Sequence, residues 1–290
     1  MKKLIGTITL LRIPFSIYLM PIYWFALSNL EGDDIDPYRA LYVFAIFHLL
    51  VYPGSNGYNS YFDRDTSSIG GLEKPPQVSS TLIYVVLIFD LLAIGCSYLL
   101  SPLFSMLVLI YMLVSKAYSN DRIRLKRYPI PGTASVVIFQ GAFTYLAIQY
   151  GVSNSMDGLQ STYNLSAALV SSLFLLGSYP LTQVYQHVED DAQGDRTLSM
   201  LLGIKGTFLF SAILFLIAST VLILGYLSNN QIMNIGIYLG LGLPVLIVFY
   251  RWQRKVTADP GNANYANAML MNKVSSLCLS AAFITMVLLR

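Results

Sequence analysis

Charge is what this sequence has least of. Asp, Glu, Lys and Arg together make up 11% of its 290 residues, less than half of the roughly 25% usual in soluble domains. That scarcity excludes an ordinary water-soluble protein. Cysteine is nearly absent: Cys96 and Cys278 both lie inside apolar runs, with neither the pattern of a disulfide framework nor the spacing of a zinc site. Each reads as a small core residue. Behind Lys2 and Lys3 the first apolar run carries no small-residue cleavage site, so no removable leader is expected. The chain shows no soluble domain, low-complexity tail or long linker. A net charge of +3 is too small to signal a nucleic-acid partner.

What is abundant sets the class. Hydrophobic residues reach 55% and mean hydropathy is +0.59. A helix needs about 20 predominantly apolar residues to cross a bilayer. By that measure the sequence predicts an all-α polytopic membrane protein, a single domain over 1–290, with about nine spans. They fall at 12–30, 40–58, 80–100, 103–118, 131–150, 165–185, 206–227, 233–250 and 268–289. Ser101-Pro102 joins the third and fourth as a tight reversal, and Ser153–Asn164 is a polar loop.

Basic residues orient the spans. With the N-terminus in the cytoplasm, all of the 18 lysines and arginines except Arg39 and Arg290 fall on that side or at that membrane edge. The loop after the first span instead carries Glu31, Asp33, Asp34 and Asp36. This asymmetry is the positive-inside pattern. It predicts an integral protein of the cell inner membrane, with Lys2 cytoplasmic and Arg290 outside.

Two acidic clusters then share the cytoplasmic face. The first, Asn59, Asp63 and Asp65, closes the second span and precedes Gly70-Gly71 and Lys74. Asn59 and Asp63 lie four apart, hence on one face of a continuing helix. The glycines permit a sharp turn that returns Lys74 toward the carboxylates. The second cluster runs from His187 through Glu189, Asp190 and Asp191 to Asp195. In helical register His187, Asp191 and Asp195 align, with Gln186 and Asp190 on the neighbouring face. So many like charges on one turn repel unless a cation sits among them. The bland reading of either cluster is a solvated loop; a lone histidine is weak evidence for a ligand. Between the clusters lies the most basic stretch, with Arg122, Arg124, Lys126 and Arg127. It serves as a topology anchor or as a clamp on phosphate oxygens, and the two roles are compatible. Oxygen-rich clusters at two helix ends with bases between them point to a magnesium–diphosphate site. Asp90 stands apart, mid-span, where an ionised carboxylate costs about 2.5–3.5 kcal/mol, and it has no functional account. Most of the 21 tyrosines and 15 phenylalanines are packing or interfacial residues; a few suit an apolar tunnel or the face of a carbocation.

Taken in order, Arg12-Ile-Pro14, Asn59-Ser-Tyr-Phe-Asp63, Lys74-Pro75 and Gly194-Asp-Arg-Thr-Leu198 followed by Leu202-Gly203 resemble the landmarks of the UbiA intramembrane prenyltransferases over essentially the whole chain. The resemblance implies helices around a central lipid-open cavity and an isoprenyl diphosphate held through magnesium between the acidic motifs. It implies transfer of the isoprenyl group to a lipophilic acceptor, aromatic or of quinone-precursor type, without a covalent nucleophile. It assigns Asn59, Asp63 and Asp190 to magnesium, Asp63 and Asp190 to catalysis, and Lys74, Arg124, Lys126 and Arg127 to the diphosphate. Asp191 and Asp195 remain further candidate ligands. The sequence departs from the family at Ser67, where a third carboxylate is expected and Asp65 is the available substitute. In the second motif, alignment on Gly194-Asp-Arg-Thr-Leu selects Asp190 and leaves Gln186 at the first acidic position, whereas spacing alone selects Asp191 and Asp195. Two alternatives share these residues. A terpene cyclase of the same family would use the same metal site, and a non-enzymatic transporter would show polar residues or broken helices at the bilayer midplane.

Overall fold

Caps and breakers set the helix boundaries. The computed structural model describes residues 2–290, without the side chains of Lys2, Lys3 and Asp33, so the cytoplasmic Lys2–Lys3 pair read from the sequence lies outside the described side chains. The first span is broken: α1 (Lys2–Leu10) ends before Arg12, whose φ of 50° is left-handed, and a 3-10 turn (Ile13–Leu19) leads into α2 (Met20–Ser28). Asp36 caps α3 (Pro37–Ala45) by accepting from the amides of Tyr38 and Arg39. A π-helical stretch, Ile46–Val51, continues it directly into α4 (Tyr52–Asp63). Next come α5 (Thr81–Leu100) and α6 (Pro102–Ser119), reversed at the capping residue Ser101.

The fifth span joins α7 (Pro129–Val136) to α8 (Thr144–Ser153) through a second π-helical stretch, Val137–Phe143. Then follow α9 (Thr162–Ser178), the short α10 (His187–Ala192), α11 (Leu198–Ser228), α12 (Ile232–Ala258) and α13 (Tyr265–Leu288). Among the described residues there is no strand, only an isolated bridge between Ile69 and Leu72.

Among the described residues, eight helical segments are long and apolar enough to cross a membrane. The second expected span is helical from Pro37 to Asp63 but falls outside that set. Its C-terminal half, Tyr52-Pro-Gly-Ser-Asn-Gly-Tyr-Asn-Ser, trades apolar residues for the polar ones that face the cavity.

Packing closes these segments into a ring. The helix α13 lies against α2 and α12, α12 against α11, α11 against α9, and α9 against the second π stretch; α6 and α5 complete the circuit through α4 and the first span. Outward faces carry leucines and isoleucines such as Leu87, Leu91, Leu243 and Leu246, as a lipid-facing surface requires. At the end opposite the acidic clusters, the Arg39 guanidinium donates to the carbonyls of Leu100 and Gly151 at 3.2 and 2.9 Å. It thereby supplies a cation to the C-termini of α5 and α8. Arg290 donates to the Ser28 carbonyl at the same end.

Asp90 finds its partner in the structure: Lys116 Nζ on α6 lies 2.7 Å away and above the Tyr58 ring. The pair satisfies a carboxylate that would otherwise be stranded within a span.

Candidate active site

The ring encloses a cavity of about 290 Å³. Six spans line it and α5, α11 and α12 do not. On α4 the lining positions Ser55, Asn56, Asn59 and Asp63 form one helical face. On α6 they are Tyr111, Val114, Ser115, Tyr118 and Ser119, again one face. The wall from α9 presents Leu175, Ser178 and Tyr179. Glycine makes one close approach possible: a Cβ on Gly141 would stand 2.7 Å from Ser172 Cα. That contact draws the second π stretch, with Phe139 and Gln140, against α9.

At one end of the cavity the charges converge. Asp63, Asp65, Asp190 and Asp195 line it, together with Arg12 and Lys126. Lys126 Nζ lies 2.7 Å from Asp63 Oδ1 and 3.0 Å from Asp195 Oδ2. Arg124 grips Asp195 with two bonds, Nε to Oδ1 at 2.7 Å and Nη2 to Oδ2 at 2.9 Å, the fork geometry in which arginine is strongest. Its Nη1 stands 3.6 Å from Asp63. Burial pushes Asp63 up to about 6, although Lys126 pulls the other way. Burial pushes Asp190 up to about 7; Lys126 pulls it down, and Asp195, Asp65 and Asp63 add repulsion that pushes it up. Asp65 rises for the same first reason, burial. For Lys126 burial works downward, but Asp63 and Asp195 outweigh it and its pKa is raised.

The two acidic segments are stitched together through α10. Glu189 Oε1 accepts from the amides of Thr66 and Ser67 at 2.9 and 3.4 Å. Gln193 donates to the Asp63 carbonyl and to Asp65 Oδ1, and Gln186 to the Ser68 carbonyl. So the two neutral positions, Ser67 and Gln186, stand at this seam.

Of the residues singled out from the sequence, Asn59, Asp63, Asp190, Asp195 and Lys126 meet at the cavity. Asn59 Oδ1 there accepts from the Ser119 hydroxyl. Asp191 is exposed and does not line it; Lys74 and Arg127 are also exposed and outside the lining. Arg124 is buried behind the wall, holding Asp195. The helical alignment of Asp191 with Asp195 does not hold. α10 ends at Ala192 and Gly194 turns left-handed at φ +73°, so Asp195 swings inward to 1% exposure.

Arg12 is the cation that sequence reasoning left off the site. It is 8% exposed, donates to the carbonyls of Gly70 and Asn56, both at 3.2 Å, and its Nε is buried without a partner. Gly70 and Gly71 fold tightly over Phe15 beside it, where a Cβ on Gly70 would stand 2.6 Å from the ring. A charge inside the first span, at a helix break, is the signal that would have marked it.

Among the described residues no three His, Cys, Asp or Glu side chains form a ready-made metal cage. That donor set suits magnesium all the same, because magnesium keeps waters and substrate phosphates and asks for only one or two carboxylates. Among the described residues Asp190 makes no ion pair or side-chain hydrogen bond, and it faces three other carboxylates.

Charged groups at one end of a cavity that also carries aromatic and aliphatic walls, inside a ring of membrane-length helices, suit a molecule with an anionic head and an apolar tail. The chain belongs to the UbiA prenyltransferase family, whose model it matches over residues 18–274. Three solved structures share its fold. A digeranylgeranylglyceryl phosphate synthase aligns at 20% identity over 99% of this chain and 98% of its own, with a TM-score of 0.60. A UbiA homologue from Archaeoglobus fulgidus bound to GPP and Mg2+ aligns at 14% over 97% and 99%, with a TM-score of 0.68. The apo UbiA homologue from Aeropyrum pernix K1 aligns at 17% over 94% and 98%, with a TM-score of 0.67. No curated protein matches the sequence.

Proposed function

We propose that this chain acts as one domain over 1–290 that transfers an isoprenyl group from an isoprenyl diphosphate to a lipophilic acceptor within the membrane, with magnesium as cofactor. The acceptor class is aromatic, of the quinone-precursor type. The observation that carries the reading is the meeting of Asp63, Asp190, Lys126 and Arg12 at the charged end of one cavity. The A. fulgidus homologue, crystallised with GPP and Mg2+, supports it. Asn59, Asp63, Asp65 and Asp190 are the residues that would hold magnesium. Bound there, the metal supplies a Lewis acid that stabilises charge on the departing diphosphate.

The chain's own groups do the remainder. Lys126 and Arg12 bind diphosphate oxygens with charge-assisted hydrogen bonds. The bond between C1 of the isoprenyl chain and the diphosphate oxygen breaks, the diphosphate takes the electron pair, and the allylic carbon bonds to the acceptor, which gives up a proton. Phe15, Tyr18, Tyr118 and Tyr179 line the cavity, and their ring faces favour a cation. The aliphatic and aromatic part of the lining, Phe15, Val114, Val136, Phe139 and Leu175, limits the water that could capture it. The positive-inside distribution of lysines and arginines supports an N-terminus and site in the cytoplasm and Arg290 outside, in a cell inner membrane.

Purified protein in proteoliposomes, given isoprenyl diphosphates, magnesium and a membrane lipid extract, should yield a prenylated acceptor identified by mass. A cyclised hydrocarbon formed without acceptor would make the chain a cyclase. Failure to consume any isoprenyl diphosphate would overturn the reading.

A further inference from the structure

The cavity has a floor. Three walls contribute lining residues over about two helical turns and then stop: Asp63 back to Ser55 on α4, Tyr118 back to Tyr111 on α6, Thr182 back to Leu175 at the end of the sixth span. At the inner end stands Tyr111, 2% exposed. Behind it the rings of Phe47 and Tyr52 pack at 6.2 and 6.0 Å, and all three belong to the main apolar core. Nothing at that depth has room to move aside without disturbing a close-packed interior.

We propose that Tyr111 sets the length of the donor, limiting the chain that fits within the cavity to two isoprene units. The inference rests on the reading of the cavity as an isoprenyl diphosphate site. Tyr118 stands level with the charged end, beside Ser119, whose hydroxyl donates to Asn59 Oδ1. Seven residues of helix separate it from Tyr111, or about 10 Å of depth at 1.5 Å per residue. An isoprene unit spans four chain bonds, about 5 Å along an extended chain at ordinary C–C lengths. Two units fill the depth; a third meets the Tyr111 ring. Ser115, one turn nearer the charged end on the same face, marks where a floor for a single unit would lie.

The test measures Kd for non-hydrolysable thiolodiphosphates of five, ten, fifteen and twenty carbons, with magnesium, on the full chain in detergent. The ten-carbon ligand should bind the wild type at least about tenfold more tightly than the twenty-carbon one, the scale on which a pocket discriminates added methylenes. Tyr111→Ala should erase or reverse that ratio, whereas Tyr111→Phe, which keeps the ring, should preserve it. Ser115→Phe should move the preference to five carbons, and it keeps the proposal testable where Tyr111→Ala does not fold. An unchanged length order in Tyr111→Ala, or in Ser115→Phe, overturns the inference alone. Absence of binding at every length in the wild type overturns the donor reading beneath it.

Discussion

Lys126 Nζ lies 2.7 Å from Asp63 Oδ1, so the base that faces the cavity also neutralises a carboxylate assigned to the metal. Removing it should act on substrate binding before fold, because Arg124 still holds Asp195 through two bonds. We expect Lys126→Ala to raise the KM for the diphosphate donor by about tenfold or more, the effect of one charge-assisted contact worth about 1.4 kcal/mol. Saturation curves on membranes with equal protein check this. Unchanged saturation would reduce the Arg122–Arg127 stretch to a topology anchor.

Asp190 and Asp191 are neighbours with different surroundings. Asp190 lines the cavity and Asp191 is exposed. Asp190→Asn should lose most activity and require more magnesium, while Asp191→Asn should stay near wild type. Magnesium titrations of both variants with one donor decide it. A severe loss at 191 with normal behaviour at 190 would move the metal to the other register.

Protons compete with the metal here. Asp63 and Asp190 titrate near 6 and 7, above the unfolded value of about 3.9. Raised carboxylates favour the protonated form, so their cost to stability is absent below about pH 4, grows between pH 4 and 7, and is complete above that. Protein stripped of magnesium should therefore lose thermal stability as pH rises across that window. Magnesium must displace these protons, so its stabilising shift should be larger at pH 8 than at pH 5.5. Thermal unfolding with and without magnesium at the two pH values measures it; a magnesium shift independent of pH would count against metal binding by Asp63 and Asp190.

The Asp90–Lys116 pair predicts a non-additive cycle. Lys116→Met should lower stability by up to about 3 kcal/mol by leaving Asp90 uncompensated, discounted because the Lys116 side chain is 23% exposed. Adding Asp90→Asn should recover much of the loss. Thermal unfolding in detergent resolves the comparison, and additive losses would deny the coupling.

The sequence made the spans legible because apolar runs of membrane length have few other uses. The run at 40–58 was legible as a helix, but it meets no lipid standard in its polar half, since Ser55, Asn56 and Asn59 serve the cavity. The carboxylates were legible as clusters and not as geometry. Asp195 looked like the next rung after Asp191 until Gly194 broke the helix, a change of direction that spacing does not encode. Lys74 and Arg127 were indistinguishable from Lys126 in composition; only the packing of the turn at Leu125–Arg127 decides which side chain faces inward. Arg12 stood out in the sequence as part of a landmark and as a charge inside a span, but not as a site residue, because the carbonyls of Gly70 and Asn56 that hold it there are set by the fold.

The second π stretch fixes the rotational phase of its span. A π turn carries one extra residue, and each residue is about 100° of rotation in a regular helix. Before it and within it, Ser135, Phe139 and Gln140 face the cavity. Beyond it, Tyr145 bonds Asn164 and Gln149 bonds the Ala26 carbonyl. Deleting a single residue there would leave a smoother helix with its outer half turned away from those partners, so the irregularity lets one rod be a cavity wall at one end and a polar lock at the other.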